Sequence, residues 1–356
     1  MKVPLLLLIA FSICANSSSH QRNLKIPPHP RLILNGDDIA RIWTNIKKYP
    51  LATTLFERLK NHSESLMQGG DIRDTSYSLG LMYRLTNDTR YARAGIQNLL
   101  KLAANKDACQ GCNGDCSKLE TGCPGPMCGQ SVAPRSASLC FGVTGDGYAL
   151  GFDWFYQAMT PAERNTTKRF LTTQILNVYG QGLSRAFTAD SWFRSRDNFN
   201  SVINSGALMT ALALLDEPDG ESYGNPGQFA RDAFQVSLLG LSEGAKSIYA
   251  DGSYPEGPGY GDFAVSHYLT AVRALESCFG ESFGLDVPGL SQVVDPVTSP
   301  CFPPLPGCFF PPWYRWPSFV PRSQVARYYV DLGSSGFSGS NQTFNWADGG
   351  TGKAPT

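Results

Sequence analysis

The sequence predicts an all-α protein, and three observations lead there. Apolar residues recur at helical spacing through most of the chain that precedes a proline-rich tail. Thr160-Pro161-Ala162-Glu163 is a helix start signal, with a hydroxyl cap, proline at the first helical position and a carboxylate three residues after the cap. The helical segments also pair across short turns, giving hairpins of roughly fifty residues, each of which leaves an apolar face for a neighbour to bury.

In chain order, Lys2 and the apolar run from Leu5 to Ile13, with small residues near Ala15, read as a secretory signal over residues 1–15. The run is too short to span a membrane. His29-Pro30-Arg31-Leu32 leads into 37–68, where Ile39, Ile42, Trp43, Ile46, Leu51, Leu55 and Leu59 keep helical spacing and Pro50 predicts a kink or break. A hairpin follows. Its arms are 71–85, with Tyr77, Leu81 and Tyr83, and 90–104, with Ala94, Ile96, Leu99, Leu100 and Leu102; Asn87-Asp88 makes the turn. A cysteine-rich insertion at 107–142 separates it from a second hairpin, 148–159 and 164 to about 179. Further helices are predicted at about 202–215, 228–245 and 263–279. The segment 286–356 turns loop-like. Its prolines and the cluster Phe309, Phe310, Trp313, Tyr314 and Trp316 read as a proline-stiffened lid over the helical core, with a sugar-stacking platform the alternative. Within it, 325–332 fits a helix or a strand and 343–346 has strand character.

The 356 residues, 42% hydrophobic and 12% aromatic, suffice for a large core. Thirty basic and thirty acidic residues cancel, which argues against nucleic acid as a partner and leaves any taste for an acidic sugar to local groups. No later segment is apolar enough to cross a membrane, so an exported, soluble protein is expected. The acceptor motifs at Asn61, Asn87, Asn165 and Asn341 fit a glycosylated secretory route. Cys109, Cys112, Cys116, Cys123, Cys128 and Cys140 read as a disulfide staple, with zinc at Cys109 and Cys112 the alternative. Cys301 and Cys308 are expected to close a loop, leaving Cys278 as the odd thiol.

The densest chemistry lies in Asp251-Gly252-Ser253-Tyr254-Pro255-Glu256-Gly257-Pro258-Gly259-Tyr260. Its glycines and prolines predict an irregular loop that displays Tyr254, Glu256 and Tyr260. A second motif, Asp197-Asn198-Phe199-Asn200-Ser201-Val202, precedes a helical pattern, and Trp192, Phe193, Arg194 and Arg196 lie just before it. Together with the HPRL start and the hairpin around 83–88, these motifs resemble the uronate-specific polysaccharide lyases of the heparinase II/III and alginate lyase superfamily.

That resemblance implies an (α/α) toroid of helical hairpins over 28–285, with 286–356 a proline-rich tail and the start of a truncated β-sandwich. It implies β-elimination on a uronate-containing polysaccharide such as alginate or a glycosaminoglycan, with no metal and no cofactor. Tyr260 is then the proton-transfer residue, and Asn198 or Asn200 the donor that neutralises the uronate carboxylate and its enolate-like charge. Arg194 or Arg196 supplies the positive charge such a base requires. Trp192, Arg194, Arg196, Glu256 and His267 are the candidate substrate-binding residues. One departure is plain: the asparagine motif lacks a histidine, and His267, seven residues after Tyr260, is the one near the second motif.

Blander roles stand beside these. Asn198 and Asn200 also suit helix capping, Tyr260 a buried loop tyrosine, Glu256 a local loop brace and the arginines ordinary packing. A uronyl C5-epimerase would use the same proton abstraction, and a non-catalytic glycan-binding protein would keep the motifs without turnover. Composition leaves the oligomeric state open.

Overall fold

The computed structural model describes residues 25–70, 72–104, 139–176, 179–180, 193, 195–217, 226–248 and 254–285. These are about 80% helical, with no strand among them. The signal segment, the insertion through residue 138 and everything after 285 lie outside the described residues, so the lid and sandwich expectations, and the disulfide expectation at every clustered cysteine but Cys140, whose side chain is likewise not described, concern positions beyond them.

Helix α1, Gly36–Lys48, opens on a reciprocal cap in which Asn35 and Asp38 bond each other's backbone N–H. Pro50 breaks the chain rather than kinking it: Tyr49 is extended, and α2, Pro50–Ser65, starts on the proline itself. The helical run α3 consists of Ile72–Asp74, a π-helical Thr75–Leu79 and Gly80–Thr86. It ends where Asn87 turns left-handed at φ 55°, a conformation asparagine tolerates. Helix α4, Thr89–Ala104, completes the predicted hairpin.

Helix α5 spans Leu139–Phe155, beginning nine residues before the expected 148. The small residues that read as the end of an insertion are helical because they face a neighbouring backbone. A methyl on Gly142 would overlap the Val202 carbonyl, and one on Gly206 would overlap the Gly142 carbonyl. After a 3-10 turn, Tyr156–Ala158, the Thr160–Glu163 capping box starts α6, Pro161–Phe170, which runs on as a π-helical segment, Leu171–Leu176.

Helix α7, Asn198–Leu214, is the spine of the molecule. Every residue in it except Phe199 is buried, and it packs against α5, α8 (Pro226–Ala245) and α9 (Gly257–Phe279). Its C-terminal half is apolar on every side but for Thr210, as such a central position requires, while its buried asparagines and serines cluster in the first half. The start of α7 lies four residues ahead of the expected 202, and Asp197 rather than either asparagine is its cap. Helix α9 likewise begins six residues before 263. Proline fits the first turn of a helix, so Gly257-Pro258-Gly259 opens the helix and Tyr260 stands in its first turn rather than on a loop.

The HPRL segment is an anchor. Asp153 on α5 accepts the Arg31 and Leu32 backbone N–H groups at 3.0 and 2.8 Å and the His29 ring at 2.6 Å. The buried Arg31 guanidinium donates to the Leu212 and Ala213 carbonyls, closing the C-terminal end of α7, and pairs with Asp216.

Candidate functional site

The two motifs meet at the N-terminal ends of α7 and α9. Asn198 is the first residue of α7 and Glu256 the cap residue of α9. The Glu256 carboxylate accepts the Asn198 backbone N–H at 2.5 Å and its side-chain amide at 2.9 and 3.0 Å. Asp197 takes the next N–H, that of Phe199, at 3.0 Å, and Ser195 donates to Asp197 at 2.5 Å. Two carboxylates therefore sit on the positive end of α7, where the unpaired N–H groups favour negative charge.

The second asparagine faces inward. Asn200 is fully buried, donates to the Phe193 carbonyl at 2.6 Å and accepts from Asn204 at 3.3 Å. Asn204 in turn accepts from the Tyr179 hydroxyl at 2.8 Å. Both asparagines press on α8 where Gly244 and Gly240 leave room; a methyl at either glycine would overlap an asparagine amide oxygen. The four-residue spacing of both pairs, 200 with 204 and 240 with 244, is the sequence signal that marks this as a helix crossing.

His267 is also interior. It is 1% exposed and its Nδ1 pairs with the Asp146 carboxylate on α5, while Ser205 of α7 donates to its backbone carbonyl at 2.8 Å. This is a three-helix polar node, which the spacing from Tyr260 alone did not distinguish from a surface position. Asp146 stands at the head of an aromatic run, Tyr148 to Tyr156, whose composition reads as helix core and gives no sign of a histidine partner.

The two loop tyrosines differ in setting. Tyr254 is buried, its hydroxyl makes no close hydrogen bond, and burial, then the charges of Glu256 and Asp197, push its phenol well above the usual tyrosine range against a weaker opposing effect of the Ser201 hydroxyl. It stays neutral. Tyr260 is half-buried and stands one turn beyond Glu256 on α9. Arg196 is exposed, two residues before Asn198. Trp192 and Arg194 lie outside the described residues.

The structure thus joins Asn198 to Glu256 directly, places Tyr260 and Arg196 on the chain beside that junction, and withdraws Asn200 and His267 into the packing. A cleft of about 530 Å³ lies elsewhere, between Gln68, Gly70, Asn98 and Lys101, and holds none of these residues. No known family model matches the chain, and no curated protein matches it significantly.

Proposed function

We propose that the protein is a secreted polysaccharide lyase that cleaves a uronate-containing polymer by β-elimination, its helices closing into an (α/α) toroid. The observation that supports this best is the contact between Asn198 and Glu256. Two motifs 58 residues apart, each ordinary alone, form one hydrogen-bonded junction beside an accessible tyrosine.

In this reading Tyr260 takes the C5 proton of the uronate and returns a proton to the departing O4, which one hydroxyl can do when both lie on the same face of the sugar. The exposed Arg196 pairs with the uronate carboxylate and with the enolate-like charge that builds on it. The positive end of α7 already carries Asp197 and Glu256, so the substrate carboxylate falls to the arginine. Asn61, Asn87 and Asn165 are exposed, as glycan acceptors on an exported protein need to be. No described helix is long and apolar enough to cross a membrane.

The test is ultraviolet absorbance from an unsaturated uronate across alginate, heparan, chondroitin and dermatan. Absorbance on one of them is expected; silence on all of them sinks the lyase. A second reading, glycan binding without turnover, is favoured by the committed state of the Asn198 and Asn200 donors, and measurable binding with no product would establish it. Solvent deuterium entering C5 without unsaturation would mark the epimerase.

A further inference from the structure

The cleft at the end of α4 is lined from two sides. On one, the chain leaves α2 through a 3-10 turn, Leu66–Gln68, and Gly69 stands at φ 123°, a conformation that keeps this rim bare of side chain. On the other, α4 supplies Asn98 and, one turn on, the exposed Lys101, with Leu102 and Ala104 as an apolar edge. The Asn98 amide has one orientation. Its NH₂ donates to the Gly70 carbonyl at 2.8 Å and to the Thr75 hydroxyl, and a carbonyl only accepts, so the amide cannot turn over. Its oxygen lies on the Gly69 side, where a methyl on that glycine would stand 3.8 Å away. A volume of about 530 Å³, ample for a small ligand, therefore holds an acceptor and an ammonium one helical turn apart.

The cleft opens at the same end of the helical layer as the Asn198–Glu256 junction. Helix α4 runs antiparallel to α5, since Gly95 packs on Phe155 and Leu99 on Gly151, which brings the last residues of α4 level with the first half of α5. Helix α7 starts along that same half, with Val202 at Gly142 and Gly206 at Gly145. Nine residues, two and a half turns, put Gly142 and Gly151 on opposite sides of α5. The cleft and the junction thus flank one helix, about 16–20 Å or two interhelical spacings apart.

We propose that this cleft is a second uronate-binding site, which holds a distal sugar of the polymer whose reacting unit lies at the junction. The two polar groups choose the ligand class. A carboxylate or sulfate ion has no proton to give the Asn98 oxygen, and a neutral sugar brings no charge to Lys101. A sugar acid carries both a hydroxyl and a carboxylate, with C–H surface for Leu102 and Ala104. The inference rests on the polyuronate reading above.

Lys101 carries the test, because it is exposed and can be changed without touching the packing. On the long polyuronate that the unmodified chain cleaves, Lys101→Glu is expected to raise KM about threefold or more with kcat unchanged, as loss of a contact remote from the reacting bond does, and Lys101→Arg to stay within about twofold. On the shortest oligosaccharide that is cleaved, which cannot reach the cleft, Lys101→Glu should match the unmodified chain. An unchanged KM on the polymer, or the same loss on the short substrate, overturns the distal site.

Binding has its own readout, independent of turnover. Millimolar glucuronate added to the full-length chain is expected to shift the backbone amide resonances of Gly69 and Gly70 to saturation, glucose and acetate at the same concentration to leave them in place, and Lys101→Glu to abolish the response. No shift with glucuronate, or an equal shift with acetate or glucose, overturns the sugar-acid site. If the unmodified chain turns over no polyuronate, the lyase reading falls by itself, and these resonances alone judge the cleft.

Discussion

At the residue scale the proposed chemistry turns on the contrast between Tyr254 and Tyr260. Both come from one ten-residue motif, and the sequence alone offers either. Burial separates them: the Tyr254 phenol is shut in the core and held neutral, whereas Tyr260 is only half-buried and within reach of a ligand. Tyr260→Phe should therefore lower turnover at least about a hundredfold, the usual worth of a positioned proton-transfer group, while the unfolding temperature stays put. Retention of the full rate would show that another group moves the proton. Tyr254→Phe should keep the rate and leave stability unchanged or raise it by up to about 1 kcal/mol, because it deletes a buried hydroxyl that makes no close hydrogen bond, Ser201 being a weak polar neighbour; a clear loss in a denaturant titration would contradict that. The partner of Asn198 could not be read from the sequence. Whether an asparagine at a helix start meets a carboxylate, a carbonyl or solvent depends on the register of α7 against α9, which residue types alone do not encode. The same limit hid the Asp146 partner of His267.

At the element scale, helix existence was legible, and so were the starts that a local cap marks, but three others were not. The Thr160–Glu163 cap and the Asn87 turn act through neighbours in sequence, so they stand where the pattern puts them. The starts of α5, α7 and α9 fall in runs that glycine, asparagine and proline mark as loop, and packing overrides those propensities. Gly142 and Gly206 are helical because two backbones touch there. Gly206→Val should thus destabilise by more than about 3 kcal/mol, since neither backbone can retreat from the spine without opening the core; a loss below about 1 kcal/mol in chemical denaturation would refute the close approach.

The HPRL anchor makes a pH-dependent prediction. His29 is stacked on Tyr156 at 4.0 Å, with Nδ1 on Asp153 and Nε2 at 3.6 Å from Glu217, an ion-pair distance rather than a hydrogen bond. Burial disfavours the cation, but Asp153 and then Glu217 outweigh it and raise the ring above its ordinary 6.5. Burial pushes Glu217 the other way, yet His29, Tyr156 and Lys168 hold it below its ordinary 4.5. A raised folded value stabilises fully below the unfolded value and is lost as pH rises through the folded one. A depressed carboxylate stabilises above its unfolded value and is lost as pH falls. The advantage of the native chain over His29→Gln should accordingly be greatest between about pH 4.5 and 6.5, at about 1–3 kcal/mol for a charged buried bond, and shrink as pH rises further. Unfolding free energies of the two chains measured across that range check the sign.

At the scale of the whole molecule, α7 organises the described core, because α5, α8 and α9 all bury their inner faces on it and the HPRL anchor closes its far end. A core built on one shared helix should open as a unit, since no flanking helix can leave without exposing the same spine. Cys278 near the end of α9 reports on that opening. Its thiol is free and buried, faces the Arg31 carbonyl at 3.5 Å, and is pushed by burial up to about 12, so the reactive thiolate is scarce while the fold stands. Alkylation of Cys278, followed by peptide mass in rising denaturant, should stay near zero in native buffer and then follow the loss of helical circular dichroism with the same midpoint. Labelling in native buffer, or at a midpoint well below that of the helices, would mean that α9 opens alone. The turn that presents Tyr260 and Glu256 would then be held locally by the Asn198 junction rather than by the common core.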